Sequence, residues 1–370
     1  DVNCYRSGGL FCISNFPNNH PTMTLDNISD TLLDEASSPT HLREALDAFA
    51  RLCSNVTGVV PDRSFDAWAD DSLLEDGVAI NPEAAAHCVK DYQRSVVFIR
   101  AVYAAINTAS DRFANQPIEI LYAGCGPFAT LLLPLLRRFH AGELQVHLLD
   151  IHQRSLDSVG QLVEHFGLQS HYIQFVQDDA CRYQHPGSPH IIITETMQKS
   201  LEQEPQFAVT ANLAPQLHGK GIFIPQKIEV ELCLAHLDAE TAAFKRGDAP
   251  DLVALEEAGR RHPIATVFCL IPDQAAALEQ RACQSSSTGL IELNPVNVTI
   301  PSVAHLDNLD ALLFTRVQAF EQHQLLDYES EITLPLRCTE MTPLQPGDHY
   351  RISFQLGNYP KFCVTRVVDE

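Results

Sequence analysis

The sequence predicts an α/β protein in which a parallel sheet lies between an N-terminal helical segment and a β-rich C-terminal region. Between residues 117 and 225, short apolar strands alternate with helical patterns, which is typical of a parallel sheet with helices on both faces. Before residue 117, apolar residues recur at helical spacing. After residue 225, short β-prone runs separated by turns indicate an antiparallel barrel or sandwich.

The first 116 residues divide into an arm and a helical region. Residues 1–35 mix Asn, Ser, Gly, Pro and Asp with few periodic apolar residues, so we expect an irregular N-terminal arm. In the helical region, 36–116, apolar spacing predicts a helix over 38–54 with Thr40 as its cap. A second helix is predicted over about 82–108.

Residues 117–225 carry the alternating pattern and are predicted to form one sheet domain. Each predicted strand is a short apolar run, and the helices between them have helical apolar spacing. The predicted strands are 118–122, 145–150, 172–176, 190–194 and 221–224, and the predicted helices are 128–140 and 155–166.

Residues 226–370 are expected to form a barrel-like domain with a charged helical arm at about 239–261. The arm is most simply a solvated helix, and its place after the first strand of this region would also suit a dimer contact. Turn signals separate the remaining β-prone runs. The predicted strands are 227–234, 266–271, 296–300, 330–334, 349–356 and 362–368.

Composition excludes several functional classes. The net charge of −22 would repel a nucleic-acid backbone, and the sequence has no run of about 18 apolar residues, so neither a nucleic-acid partner nor a membrane span is expected. Eleven cysteines without a Cys-x-x-Cys pair indicate reduced thiols in a cytoplasmic protein. Sixteen histidines occur without His-Glu-x-x-His or a comparable ligand spacing, so no metal site is predicted.

The strongest chemical signal is a strand that runs into Tyr122-Ala-Gly-Cys-Gly-Pro127. Gly124 and Gly126 allow a sharp turn and the close approach of a ligand. Pro127 lacks the amide donor that a pyrophosphate would use, which favours a nucleotide-type cofactor without phosphates. By itself the glycine pattern fits a structural turn equally well.

Two acidic residues strengthen the cofactor interpretation. Asp150 ends the next strand, 24 residues beyond Gly126, where a carboxylate can accept hydrogen bonds from both ribose hydroxyls; its alternative role is to cap the following helix. Asp179 and Ala180 follow the third strand, where the aspartate could accept from an adenine amino group or could be a polar loop residue. The ends of parallel strands meet at one edge, so one crevice is predicted.

These features resemble class I S-adenosylmethionine-dependent methyltransferases, and more narrowly the protein arginine methyltransferases. The segment Asp91-Tyr-Gln-Arg94-Ser95 resembles the family's Asp-x-x-Arg-Thr motif, which implies that Arg94 binds the methionyl carboxylate of the cofactor. Glu195 and Glu204 have the nine-residue spacing of the family's double-glutamate hairpin. Asn212-Leu-Ala-Pro215 and residues 221–225 resemble the elements that close its sheet domain. The resemblance covers about 85–370 and is strongest over 90–230.

The resemblance implies a Rossmann-like methyltransferase sheet domain followed by an antiparallel β-barrel-like domain with a dimerisation arm. Glu195 and Glu204 would be the catalytic residues, since two carboxylates can hold a guanidinium bidentately and orient one nitrogen for in-line methyl transfer. Alternatively Glu204 is a helix-start glutamate, Glu195 a surface residue, or Glu202 the true partner. The implied cofactor residues are Arg94, Tyr122, Gly124, Gly126, Asp150, Asp179 and Ala180.

The chain also departs from the family pattern. Tyr122 stands where the family has an acidic residue, and the Thr-His-Trp motif of the arginine pocket has no counterpart, since the only tryptophan is Trp68. Tyr328 could fill part of the space that this tryptophan would occupy. The hairpin has Thr196-Met-Gln198 in place of Trp-Met-Gly.

These departures leave the methyl acceptor open: a free amino acid, a guanidino metabolite or a protein arginine. One alternative function is methyl transfer to an oxygen, a carbon or an amine of a small metabolite. Another is a non-catalytic subunit that binds the cofactor. Cys125 is interpreted as packed rather than nucleophilic. A cytoplasmic protein, with a homodimer as one assembly, is expected.

Overall fold

The computed structural model describes residues 23–62, 64, 71–245, 250–284 and 290–367. Residues 1–22 of the expected arm, Trp68 and residues 246–249 of the expected helical arm lie outside the described residues. Among the described helices, none is both long and apolar enough to cross a membrane. The domain boundaries drawn from the sequence stay predictions.

The N-terminal helices differ from the prediction in two ways. A helix forms within the arm that was expected to be irregular, because Leu25, Ile28 and Leu32 make a short buried stripe behind a Thr24 capping box. The cap of the next helix is Ser38, which accepts from the His41 amide, rather than Thr40. The elements are α1 (Leu25–Leu33), α2 (Pro39–Thr57), a hairpin of β1 (Ser72–Leu73) and β2 (Val78–Ala79), α3 (Pro82–His87) and α4 (Tyr92–Arg112).

The single helix predicted over 82–108 is interrupted. A 3-10 turn at Cys88–Lys90 separates α3 from α4, and Asp91 stands at the break with non-helical backbone angles. The Asp91 carboxylate accepts from the Ser330 hydroxyl at 2.5 Å and from the Glu331 amide at 3.0 Å. The break therefore allows the start of α4 to be anchored on the C-terminal part of the chain.

A five-stranded parallel sheet forms the centre of the molecule, and its strand order is β5-β4-β3-β6-β7. Ile120 of β3 packs in the core shared with α4, whereas Leu121 packs on the opposite face with residues of α6. Helices on both faces of a parallel sheet confirm the predicted Rossmann-like class. The elements are β3 (Ile118–Ala123), β4 (Leu144–Asp150), α5 (Gln153–His165), β5 (Tyr172–Gln177), β6 (Ile191–Thr194), α6 (Gln206–Leu213) and β7 (Ile222–Ile224).

The α-helix predicted over 128–140 is wrong. After the glycine loop the chain makes turns, with Ala129 at φ +42°, and then a 3-10 helix at Leu133–Arg138 that has Pro134 near its start. A positive φ at a non-glycine residue is incompatible with a continuing α-helix. No α-helix therefore begins at the glycine loop.

The C-terminal region consists of two antiparallel sheets, as predicted. One has the order β13-β12-β8-β9 with β14 paired to β12, and the other is β10-β11-β15-β16. The strand predicted at 330–334 is instead a 3-10 turn at Glu331–Thr333, and β12 was not predicted. The elements are β8 (Lys227–Ala235), α7 (Leu237–Lys245), α8 (Leu252–Glu257), β9 (Arg261–Leu270), α9 (Pro272–Gln280), β10 (Cys283–Gln284), β11 (Ile291–Thr299), β12 (Asp310–Phe320), β13 (His323–Leu325), β14 (Leu336–Arg337), β15 (His349–Gln355) and β16 (Lys361–Val367).

The helical arm expected at 239–261 is two short helices, α7 and α8, and Arg261 belongs to β9. The solvated interpretation is wrong for Arg261, whose side chain is 1% exposed. Its Nη1 donates to both oxygens of Glu240 at 3.0 Å, its Nη2 pairs with Asp327, and the guanidinium lies over the ring of Phe314. This buried network joins α7 to β9 and to the chain after β13.

We expect Arg261→Met to lower the free energy of unfolding by about 3–5 kcal/mol, because Glu240 and Asp327 would lose their shared buried cation. Urea unfolding followed by circular dichroism measures the loss. The matched control is Arg337→Met, which removes a half-exposed pair with Asp310 and should cost at most about 1 kcal/mol. Equal losses in the two variants would contradict this account.

Candidate active site

A cleft opens at the carboxyl ends of the central strands, and it collects every site residue predicted from the sequence. The cleft spans about 980 Å³, including the part open to solvent. Its walls come from the β1–β2 hairpin, the start of α4, the glycine loop, the ends of β4 and β6 and the loop after β5. The predicted residues in its lining are Arg94, Tyr122, Gly124, Gly126, Asp150, Asp179, Ala180, Glu195 and Glu204.

The glycine loop is shaped by positive φ angles and by close contact with the next strand end. Gly124 has φ +70° and Gly126 has φ +62°, which disfavour residues with a Cβ. A Cβ on Gly124 would lie 2.5 Å from Cγ2 of Thr196. The loop therefore requires glycine at position 124 for two independent reasons.

Asp150 is bound to the glycine loop rather than to a helix end. Its Oδ2 accepts from the Gly126 amide at 2.9 Å, and its Oδ1 accepts from the His152 amide at 2.9 Å. The cap position of α5 is His152, so Asp150 is not the cap of that helix. Each carboxylate oxygen has a second lone pair, so Asp150 can still accept from a ligand hydroxyl in the cleft.

Asp179 and Ala180 lie in a loop that several hydrogen bonds hold in place. Oδ1 of Asp179 accepts from the Cys181 amide at 2.9 Å, and the Ala180 carbonyl accepts from Nδ2 of Asn212 at 3.0 Å. Asp179 thus has the local contact expected of a polar loop residue and also lines the cleft. Neighbouring Asp178 lines the cleft as well, although the sequence reasoning did not select it.

Arg94 and Glu195 form an ion pair inside the cleft, with side chains only 10% and 9% exposed. Burial opposes the charge on Arg94, but Glu195, Cys88 and Asp91 together more than offset this effect, so the pKa of the guanidinium is raised overall. Only Nη2 of Arg94 contacts Glu195, and its other donors have no hydrogen-bond partner among the described residues. Glu195 is therefore not a surface residue, and Arg94 has donors left for a ligand.

Glu204 is buried beside this pair. Burial raises the pKa of its carboxyl to about 7; Arg94 opposes the rise and Glu195 adds to it. Burial also raises the pKa of Glu195, against the opposing effect of Arg94. Near neutral pH Arg94 is positively charged, and the two glutamates together carry less than two full negative charges. A second cation that enters the cleft would therefore favour full ionisation of both carboxyl groups.

The loop that carries Glu204 has an unusual backbone. Ser200, Leu201 and Gln203 all have positive φ, at 55°, 53° and 68°. The Ser200 amide donates to Oγ1 of Thr315 at 2.7 Å, and the Gln203 carbonyl accepts from the Val78 amide at 2.7 Å. Backbone in this region persists only where surrounding contacts enforce it, so the loop holds its shape from both sides.

The alternative roles considered for this loop do not fit its structure. Glu204 precedes Pro205, and α6 begins only at Gln206, so Glu204 is not within the first turn of the helix. Glu202 is absent from the described lining of either cleft, and Lys199 and Lys361 are its nearest cations. Among the three glutamates, Glu195 pairs with Arg94, and Glu204 interacts with Arg94 through its charge.

A second cleft joins the first at Arg94 and Glu204. It lies between the hairpin, α3 and the C-terminal region, and its lining includes the carboxylates Asp71, Asp91 and Glu331 as well as Lys199. Tyr328 does not take part: its hydroxyl donates to Glu240 at 2.6 Å within the buried network, so the expectation that it fills the missing tryptophan's space is wrong. The aromatic residue in this lining is Phe244, which is 42% exposed.

The hairpin and His152, two residues after Asp150, were missed by the sequence reasoning. The strands of the hairpin are two residues each, too short for a periodic signal, yet Leu74, Val78 and Ala79 line the first cleft. Oγ of Ser72 and Nε2 of His152 are 3.2 Å apart, which links the hairpin to the end of β4. Cys125 also lines the cleft, and burial raises the pKa of its thiol well above the ordinary value, in keeping with a packed residue.

Comparisons with known proteins gave matches in structure but not in sequence. No protein-family model matches the sequence, and no curated protein matches it significantly. A Trypanosoma brucei PRMT1 enzyme-prozyme heterotetrameric complex with AdoHcy is similar in structure, with 11% identity and a TM-score of 0.45 over 78% of this chain and 94% of that chain. Arabidopsis thaliana protein arginine methyltransferase 10 has 12% identity and a TM-score of 0.42 over 72% and 86% of the two chains.

We expect Gly124→Ala to destabilise the protein by about 1–3 kcal/mol more than Gly167→Ala, because a new Cβ at position 124 would meet the methyl group of Thr196. Gly167 has a similar φ of +68° and nothing within 4 Å, so it reports the backbone cost alone. Urea unfolding gives both values. Adding Thr196→Ser, which keeps the hydroxyl and removes Cγ2, should recover the difference; a lack of recovery would refute the contact.

Proposed function

We propose that this protein is an S-adenosylmethionine-dependent N-methyltransferase that acts on a guanidino group of a small molecule or a protein. The observation that carries the proposal is the cluster of Arg94, Glu195 and Glu204 where two clefts meet. The first cleft has the features of a nucleoside site, and the second has the charge of a site for a cation. The sequence motifs that resemble arginine methyltransferases support the same interpretation.

The first cleft suits a nucleoside cofactor that carries no phosphate. No α-helix begins at the glycine loop, so the usual helix N-terminus for a pyrophosphate is missing there. Asp150 would accept from the ribose hydroxyls, Asp179 from the adenine amino group, and the remaining donors of Arg94 would bind the carboxylate of the amino-acid tail. When bound, S-adenosylmethionine supplies a methyl group on a positively charged sulfur.

The second cleft suits a cationic acceptor. Its lining contains the carboxyl groups of Asp71, Asp91, Glu204 and Glu331 against the cations Arg94 and Lys199. A planar guanidinium presents several donors in a fixed fork, which two carboxylates can bind together. An ammonium lacks this planar fork, so the Glu195 and Glu204 pair favours a guanidine over an amine.

The two glutamates would orient the acceptor, and one of them would accept the proton that it releases. Their carboxylates hold the guanidinium through charge-assisted hydrogen bonds and fix one nitrogen toward the first cleft. Methylation of that nitrogen releases one proton, and Glu204 is the neighbouring group whose pKa near 7 suits it to accept the proton. The rigid loop around Ser200 and Gln203 keeps Glu204 in place during the reaction.

The test is methyl transfer from isotopically labelled cofactor to a panel of arginine, guanidino metabolites, arginine peptides, amines, alcohols and carbon acids. We expect guanidino products, and we expect Glu195→Gln and Glu204→Gln each to lower kcat/KM about 100-fold or more. In Glu204→Gln, which leaves the Arg94–Glu195 pair intact, cofactor affinity by calorimetry should change little. Glu202→Gln is the matched control and should retain activity. Products methylated on oxygen, carbon or an amine would favour the first alternative function; cofactor binding without transfer to any acceptor would favour the non-catalytic one.

The pH dependence of the reaction should report Glu204. A carboxyl binds a cation in its ionised form, so we expect kcat/KM to rise as the pH increases through about 7 and then to level off. The guanidinium of the acceptor does not titrate in this range. In Glu204→Gln the inflection near 7 should be absent from the residual activity. A profile that is unchanged in this variant would contradict the assignment.

A homodimer and a cytoplasmic location stay predictions. The segment that would supply the dimer contact, α7 and α8, packs on its own chain through the Arg261 network, so its outer surface is the part left for a second copy.

A further inference from the structure

A cluster of three metal-ligating side chains lies away from the cleft, near the amino ends of the parallel strands. Glu119 is the second residue of β3, and His147 is the fourth residue of β4. His185 comes from the loop between β5 and β6. Strands rise by about 3.3 Å per residue, so Glu119 lies about 13 Å along β3 from Ala123, where the cleft begins.

The ligand atoms of this cluster converge on one point. Oε1 of Glu119 is 2.9 Å from Nε2 of His185 and 3.4 Å from Nε2 of His147, and all three ligand atoms lie within 4.8 Å of one another. Bond lengths of 2.0–2.2 Å place the ligands of a tetrahedral zinc ion about 3.3 Å apart. Widening the Glu119–His185 distance by a few tenths of an ångström would bring it, like the Glu119–His147 distance, to this spacing.

We propose that Glu119, His147 and His185 form a binding site for a divalent transition metal, with Zn²⁺ as the best-suited ion. Two imidazoles and one carboxylate are a donor set that zinc sites use when a fourth position stays open. The side chains of His185 and His147 are 0% and 7% exposed, whereas that of Glu119 is 22% exposed, so an ion and its fourth ligand would enter on the glutamate side.

Groups around the cluster support the histidines as ligands. Oη of Tyr183 lies 3.2 Å from Nδ1 of His185 and can accept from it, which leaves Nε2 with a lone pair for a metal. The His185 amide donates to Oε1 of Gln216 at 2.8 Å, which fixes the backbone that carries the ring. The backbone at Gly187 approaches the Glu119 carboxylate so closely that a Cβ there would be 3.3 Å from both oxygens. The backbone at Gly187 therefore confines the carboxylate.

No sequence motif indicates this site, because its ligands are 28 and 38 residues apart and lie on three different elements. In the register of the sheet, Leu121 faces His147, so Glu119 and His147 share one face two positions apart. The fold alone brings them together.

The experiment uses the full chain after treatment with a chelator and then with iodoacetamide, which blocks accessible thiols. Zn²⁺ titration by calorimetry should give one equivalent per chain, and Co²⁺ should give the visible absorption of a four- or five-coordinate ion. Glu119→Gln, His147→Gln and His185→Gln should each weaken Zn²⁺ binding at least about ten-fold and abolish the rise in Tm that Zn²⁺ causes. His165→Gln, at an exposed position on α5, is the matched control and should bind as the parent does.

Glu119→Gln keeps a hydrogen-bond acceptor for both histidines, so it tests the ligand role even where a histidine variant fails to fold. Circular dichroism of the metal-free proteins checks that folding. Unchanged Zn²⁺ affinity in Glu119→Gln and in either folded histidine variant would overturn the proposal and leave a hydrogen-bonded Glu–His–His cluster. The absence of a one-equivalent site in the parent protein would also overturn it.

Discussion

The buried ion pair between Arg94 and Glu195 is the interaction on which the site depends. It joins the first turn of α4 to Glu195, the residue that follows β6. A helix that comes before the sheet in sequence is thereby tied to the carboxyl end of an inner strand. Removing two charges from water is costly, and a pair of this kind persists where further polar groups surround it. Glu204 supplies one such group, and Asp91 holds the start of the same helix on Ser330. The charged centre of the cleft is thus held by both halves of the chain.

The backbone conformation of two loops also shapes the site. Two loops with positive φ contribute to the site: the glycine loop at Gly124 and Gly126, and the segment that includes Ser200 and Gln203 and leads to Glu204. The first brings a wall without side chains close to the ligand space, and the second presents Glu204. Thr196 joins the glycine loop to the start of α6, because its methyl group occupies the room that a side chain at 124 would need and its hydroxyl donates to Oε1 of Gln206 at 3.0 Å. The position of the carboxylates is therefore coupled to the turn at the strand end.

The sequence predicted what depends on short-range pattern and failed where distant contacts decide. The parallel strands were recognisable because each is an apolar run, and Gly124, Asp150 and Glu195 because each stands at or directly after a strand end. Arg94 and Glu204 were identified through motif spacing instead. The helix expected at 128–140 failed because Ala129 adopts a positive φ that local propensity does not reveal. Arg261 looked solvated beside other charges, although Glu240 and Asp327 bury it, and those partners come from 21 residues before and 66 residues after it. The sequence predicted that Asp150 lies at the strand end in the cleft, but not that it accepts a hydrogen bond from the Gly126 amide. That bond depends on how the glycine loop turns back toward β4.

The loop between β5 and β6 connects the two ends of the sheet. Its first residues, Asp179 and Ala180, line the cleft, and His185 lies among the ligand atoms at the opposite end. Between them the Tyr183 amide donates to the Asp179 carbonyl at 2.8 Å, and the Tyr183 hydroxyl meets His185. Because Tyr183 is packed in the core on this face, a single buried side chain joins the part of the loop that lines the cleft to the part that carries His185.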